Sequence, residues 1–142
     1  MLVRCTSTSR VLLPTWRELA PYDQTTFPIT EGRSYSVLGM QFTTDSVEYL
    51  IHTDTFYPSF VPAVQFSVEN PRIPEWWVYR FLGYPSENLY WMPIAEWGYP
   101  EMVLEDGHCE AVIDRDPRAL AIYTNYLNAS RRFDGEGLAR GE

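Results

Sequence analysis

Tyr35-Ser36-Val37-Leu38-Gly39-Met40, a polar break over residues 43–46, and then Val47-Glu48-Tyr49-Leu50-Ile51-His52-Thr53 decide how this chain is read. β-branched and aromatic side chains dominate both runs, and each has the length of a strand rather than of a helix. Upstream, Thr30-Glu31-Gly32-Arg33 supplies turn residues, and residues 1–6 alternate as a first strand would. Downstream, a turn over residues 54–59 leads into Phe60-Val61-Pro62-Ala63. Gln65-Phe66-Ser67-Val68 follows before Glu69-Asn70-Pro71 breaks the series. Short strands at spacings of about ten residues, joined by tight turns, predict an antiparallel meander curled into a small barrel. Closure of that kind would remove the edges that invite aggregation.

Three pieces of this region carry a resemblance: Gly32-Arg33-Ser34-Tyr35-Ser36-Val37-Leu38-Gly39, then Tyr49-Leu50-Ile51, then Val61-Pro62-Ala63-Val64-Gln65-Phe66-Ser67-Val68. Together they resemble a widespread group of small bacterial proteins of SH3-like fold. In that group a Gly-x-x-Tyr-x-Val-x-Gly strand is followed by a Tyr-x-Ile strand and a Pro-Ala-x-x-Phe-x-Val closure. The resemblance spans residues 29–69 and implies an SH3-like antiparallel β-barrel. Some members of the group resemble immunity proteins encoded beside bacterial toxins. This chain departs from the pattern at Thr53-Asp54-Thr55-Phe56, where an acidic pair followed by glycine is usual in the group.

Around that core the chain adds elements. Near the N-terminus, Pro14 followed by Thr-Trp-Arg-Glu-Leu-Ala is compatible with one short helical turn before Pro21. Ile73-Pro74-Glu75-Trp76-Trp77-Val78-Tyr79-Arg80-Phe81 reads as an extended segment lying across the barrel, and residues 88–91 as a short strand. Pro100 fits the first position of a helix over residues 101–105 with Gly107 as its stop, and residues 109–113 read as one more strand. The clearest helix signal comes last. Asp116 can cap, Pro117 fits the first turn, and Ala119, Leu120, Tyr123, Tyr126 and Leu127 form an apolar stripe at helical spacing. Arg131 and Arg132 complement the dipole at its end. The expectation is a mainly β, α+β domain over residues 1–132. It is an SH3-like antiparallel β-barrel elaborated by extra strands and a C-terminal helix over residues 117–130, with a flexible tail over 133–142.

At 142 residues the chain can bury a core without staples, and its two cysteines, Cys5 and Cys109, cannot form the framework of a disulfide scaffold. No apolar run approaches the roughly 20 residues that span a bilayer, and the N-terminus lacks the pattern of a secretory signal, so a cytoplasmic protein is expected. All 11 basic residues are arginine, a codon-usage sign of a GC-rich bacterial genome. The net charge of -8 is uneven: residues 69–116 hold ten acids against three arginines, while the first 68 residues hold six against four. Such a field repels phosphates and steers basic proteins inward, so direct nucleic-acid binding is disfavoured.

Catalytic constellations are missing from the sequence. Candidate metal ligands are Cys5, His52, His108 and Cys109, without His-x-x-x-His or Cys-x-x-Cys spacing, so no metal and no cofactor are expected. His52 and Asp54 lie two residues apart, but no elbow or glycine-rich turn presents a nucleophile beside them. The acids are too numerous and too evenly spread to single out a glycosidase pair. Phosphate-cradling glycine loops do not occur, and lysine is absent altogether.

What remains is an aromatic concentration, nine of the 22 aromatics within the 24 residues from Trp76 to Tyr99, in the acidic segment. Core filling accounts for many of them, yet adjacent Trp76 and Trp77 cannot both face inward on a strand. Exposed aromatic rings ringed by carboxylates are the composition of a docking surface for a basic protein. The reading is a non-catalytic protein-binding module, in concrete form a bacterial immunity protein that occludes a basic partner such as a cognate toxin. The residues chosen for its surface are Trp76, Trp77, Trp91, Trp97, Glu101, Glu105, Asp106 and Glu110. Two alternatives stand beside it: a small enzyme or ligand-binding domain with a cleft near His52 or His108, and a structural subunit of a larger assembly.

Overall fold

A computed structural model describes residues 1–9, 26–86 and 92–139. The expected turn after Pro14 and the expected strand at residues 88–91 lie outside the described residues. In chain order the strands are β1 (Leu2–Cys5), β2 (Ser34–Ser36), β3 (Gly39–Phe42), β4 (Val47–His52), β5 (Pro58–Pro62), β6 (Phe66–Asn70), β7 (Val78–Phe81) and β8 (Ala95–Gly98). Helices α1 (Pro100–Leu104), α2 (His108–Ile113) and α3 (Pro117–Ala139) follow. All pairings between strands are antiparallel. They build a three-stranded sheet in the order β2-β1-β6 and a five-stranded sheet in the order β5-β4-β3-β8-β7.

The expected barrel is therefore corrected to two separate sheets. The strand predicted over residues 35–40 breaks in the middle and serves both. Ser34–Ser36 pairs with β1, the Val37 amide bonds the Met1 carbonyl at 2.9 Å, and the Leu38 amide turns to the Leu50 carbonyl at 2.9 Å. Val37 and Leu38 are both fully buried, one on each side of the larger sheet, which is what forces the handover. A second corner lies between β5 and β6, where a single 3-10 turn over Ala63–Gln65 carries the chain back to the smaller sheet. β8 and β7 then add to β3 on the side away from β4, so the larger sheet grows outward instead of closing.

Three layers result. Val3, Cys5, Tyr35 and Val37 meet Met40, Tyr49, Ile51 and Val61 between the two sheets, with Trp77 beneath them. On the other face of the larger sheet, Leu38 and Leu50 meet Tyr99, Met102, Val112, Tyr123 and Leu127 from the helices. Burial of the middle of the larger sheet on both faces explains why residues 37–40 and 49–51 read as nearly continuous apolar runs.

Residues 109–113, read as a strand, are corrected to helix α2. The alternation Cys109, Ala111, Ile113 imitates a strand, but the buried positions are His108 and Val112, four apart, and Ile113 faces solvent. The expected end of the last helix near residue 130 is also corrected, because α3 continues to Ala139. Its inward stripe simply turns polar. Ser130 and Asp134 are buried, Asp134 pairs with the N-terminal ammonium at 3.0 Å, and Phe133 packs edge-on against Trp76 at 5.7 Å. Hydropathy patterning stops where apolar residues stop, although burial does not.

The cap of α3 is as expected: the Ala119 amide donates to Asp116 Oδ2 at 3.0 Å. Asp116→Ala should lower stability by about 1 kcal/mol, read as a shifted denaturant midpoint with an unchanged slope. An unchanged midpoint would show that packing alone holds this end. Among the described residues no helix is long and apolar enough to cross a membrane.

Candidate functional site

The larger sheet is wider than the smaller one that covers it, and the difference creates a surface. Met40, Trp97 and Tyr79 are in register across β3, β8 and β7, so their side chains share one face. Met40 is buried under the smaller sheet, but the cover ends there. Trp97 remains 36% exposed, Tyr79 54% and Phe81, two residues along the same face, 57%. Their rings organise one another: Tyr79 meets Trp97 edge-on at 5.5 Å, and Phe81 meets Tyr84, itself 83% exposed, at 6.0 Å. Among the described residues β7 is the end strand of its sheet, so this aromatic face lies along an edge.

The opposite face of the same two strands is charged. Arg80 and Glu96 pair across β7 and β8, and Gln41 and Glu48 continue the row inward, with Gln41 Nε2 donating to Glu48 Oε2 at 2.7 Å. Arg80 Nη1 donates to Asp106 at 3.2 Å and to the Val103 carbonyl at 3.3 Å, which ties the end strand to α1. Burial raises the Glu96 carboxyl above its ordinary value. Arg80 opposes that rise, and Asp106 and Glu110 add to it. Behind the aromatic edge Arg80 thus pairs with Asp106 and faces Glu96 across the strands.

The tryptophans chosen from sequence divide. Trp97 is on the surface, whereas Trp77 is only 7% exposed and belongs to the core between the sheets. Trp76 is half-buried beneath α3, against Tyr126 and Phe133. Both indoles turn inward because residues 75 and 76 form a turn before β7, so the rule for adjacent strand residues does not apply to them. Trp91 lies outside the described residues. Glu105, Asp106 and Glu110 are exposed, and Glu101 is half-buried in the first turn of α1. Tyr79 and Phe81, outside the set of residues expected from the sequence, share the exposed face with Trp97. The period-two pattern Val78-Tyr79-Arg80-Phe81 was the signal that puts them on one face.

Each histidine is held by a tyrosine. His52 Nδ1 lies 2.6 Å from the Tyr123 hydroxyl, and His108 Nε2 lies 2.9 Å from that of Tyr99. Burial lowers both imidazoles below their ordinary value, so both are neutral near pH 7. Asp54 does not orient His52. It accepts from Thr30 Oγ1 at 2.6 Å, the Tyr35 hydroxyl at 2.9 Å and Arg33 Nη1 at 3.0 Å, so the pairing weighed from sequence is absent. The Cys109 thiol is pushed up to about 12, by burial first and then by Glu110 and Glu96, which makes it a poor nucleophile. Among the described residues no group of three or more His, Cys, Asp or Glu side chains could hold a metal ion.

No family model, no curated protein and no solved structure matches this chain. The class that the fold and surface define is an α+β protein of two antiparallel sheets and a long C-terminal helix. Its larger sheet ends in an uncovered aromatic edge.

Proposed function

We propose that the protein is a non-catalytic binding module that docks onto a basic protein through the β7–β8 edge. In its concrete form it is a bacterial immunity protein, a cytoplasmic inhibitor that occludes a cationic toxin. The observation that carries the reading is the uncovered row Trp97, Tyr79 and Phe81, large rings left in solvent on a face that is core one strand further in. Aromatic area on one face of a sheet edge with carboxylates on the other suits a docking edge whose acids set the encounter rate and whose rings set the lifetime. The acids are Glu105, Asp106 and Glu110, with Glu96 behind them. Sheets that exchange strands at two corners are an opened version of a curled meander, and this supports the resemblance to SH3-like proteins.

The test is capture of the product of the neighbouring gene by purified protein, at low salt and at about 0.5 M salt, where surface charge is screened. Tyr79→Ala/Phe81→Ala should weaken capture by about tenfold or more at an unchanged melting temperature. Asp106→Asn/Glu110→Gln should weaken it mainly at low salt. Capture by the double aromatic variant equal to that of the natural chain would sink the proposal.

A further inference from the structure

A second site lies on the other side of the molecule. The hairpin between β4 and β5 leans against the middle of α3 and leaves a cavity of about 290 Å³, close to the lower size of small-ligand sites. Through His52, Phe56, Leu127 and Arg131 it opens into a larger cleft of about 610 Å³.

Charge distinguishes the two. Asp54, Glu69 and Asp134 line the larger cleft, and each is engaged, by Arg33, by Ser34 at 2.9 Å and by the N-terminal ammonium respectively. Among the described residues the smaller cavity has no carboxylate in its wall, in a chain of net charge -8, yet Arg115 and Arg131 both contribute to it. Among the described residues neither guanidinium has a carboxylate within ion-pair distance.

The donors are also arranged. Burial holds the Tyr123 phenol well above its ordinary value, and its hydroxyl shares a hydrogen bond of 2.6 Å with His52 Nδ1. The neutral ring keeps one N–H, which with the Tyr123 hydroxyl lies in the cavity wall. Arg115 Cζ sits 4.6 Å from the centroid of the Tyr57 ring, and its Nε donates to the Tyr57 hydroxyl at 3.2 Å, which leaves its terminal nitrogens to a ligand.

The backbone supplies an independent observation. Among the described residues Phe56 and Arg115 are the non-glycine positions with positive φ, at 65° and 61°, and both line this cavity. Arg115 follows the end of α2, where its amide bonds the Val112 carbonyl at 3.1 Å and the Asp116 amide bonds that of Ala111 at 2.9 Å. Glycine is the residue that closes a helix this way without strain. An arginine there places a guanidinium at the rim, at the expense of local backbone comfort, and strain of this kind gathers at binding sites.

We propose that this cavity binds a small organic anion. A carboxylate or phosphate head would lie against Arg115 and Arg131, and an apolar or aromatic body against Phe56 and Tyr57. Arginine forks suit both head groups. The site is independent of the β7–β8 edge.

The test is a titration of the full chain with benzoate, phenyl phosphate, inorganic phosphate and the neutral analogue benzyl alcohol, followed by amide and imidazole NMR shifts. Benzoate or phenyl phosphate should saturate shifts at His52, Phe56 and Tyr123, and the stronger of the two tells carboxylate from phosphate. Inorganic phosphate should bind about tenfold more weakly, and benzyl alcohol should not saturate. Arg131→Gln should weaken the anion by about tenfold. Arg115→Gly should do the same while leaving the melting temperature equal or higher, because it relieves the backbone. The proposal is overturned if neither aryl anion saturates, if benzyl alcohol binds as tightly, or if Arg131→Gln and Arg115→Gly each bind the anion like the natural chain.

Discussion

Tyr99→Ala is expected to destabilise the protein by about 3–5 kcal/mol, the cost of emptying a large aromatic site in a core. Among the described residues Tyr99 is the largest fully buried side chain, its ring stacked on Tyr126 at 4.7 Å where β8 turns into α1. Its removal opens a space between sheet and helices that neither can close, because both are pinned elsewhere. Since small domains are stable by only about 5–15 kcal/mol, the variant should be partly unfolded near body temperature.

Tyr99→Phe isolates the hydroxyl. It keeps the ring but strands His108 Nε2, and about 1–3 kcal/mol should be lost. Acid should add to the effect. Burial is the main cause holding the folded His108 imidazole below its ordinary value, so between the two values the unfolded chain binds more protons. Stability is therefore full above the unfolded value of about 6.5 and falls as pH drops through the folded one. Denaturant midpoints at pH 7 and at lower pH measure both effects. A Tyr99→Ala midpoint within experimental error of the natural one would mean that this core is not packed as described.

Gly98→Ala is the second large effect, about 1–3 kcal/mol, with Gly98→Val above that range. A Cβ at residue 98 would stand 2.7 Å from Met102 Sδ, 2.8 Å from Gly39 Cα and 3.0 Å from the Leu38 carbonyl oxygen. The methionine can swing aside, but the two backbone groups cannot without breaking the β3–β8 pairing of Gly39 with Gly98. Gly39→Ala meets chiefly the end of Met102, so its cost should shrink when Met102 is also shortened, while that of Gly98→Ala should not. A double-mutant cycle by thermal or chemical unfolding decides. Equal coupling at both glycines would refute the assignment of the clash to backbone.

Much of the fold was legible because it is local. Thr30 to Arg33 turns, Pro100 opens a helix, and Asp116 caps α3 with Pro117 behind it, all from preferences acting within a few residues. Misreadings arose where a local pattern had two solutions. Cys109, Ala111 and Ile113 alternate as a strand would, and only the contacts of His108 and Val112 with the rest of the core make them a helix. The chain past Arg132 carries polar residues and glycines, and only a distant N-terminus and Trp76 show why Phe133 and Asp134 are held.

The candidate surfaces were less legible. An acidic, aromatic second half was visible in composition, but which rings are core and which are surface depends on where the smaller sheet stops covering the larger one. Trp77 and Trp97 are equally apolar. One is buried and the other exposed because β8 lies just beyond that cover. The cationic cavity was still further from view, since Phe56, Arg115 and Arg131 are scattered along the chain and meet only when α3 lies against the β4–β5 hairpin. By itself the sequence determined, in outline, the strands of the first 70 residues, their turns, the cap of the last helix and the charge. Only the tertiary structure decided the opening of the barrel and the composition of each surface, because coverage and convergence are long-range packing outcomes that no nearby residue encodes.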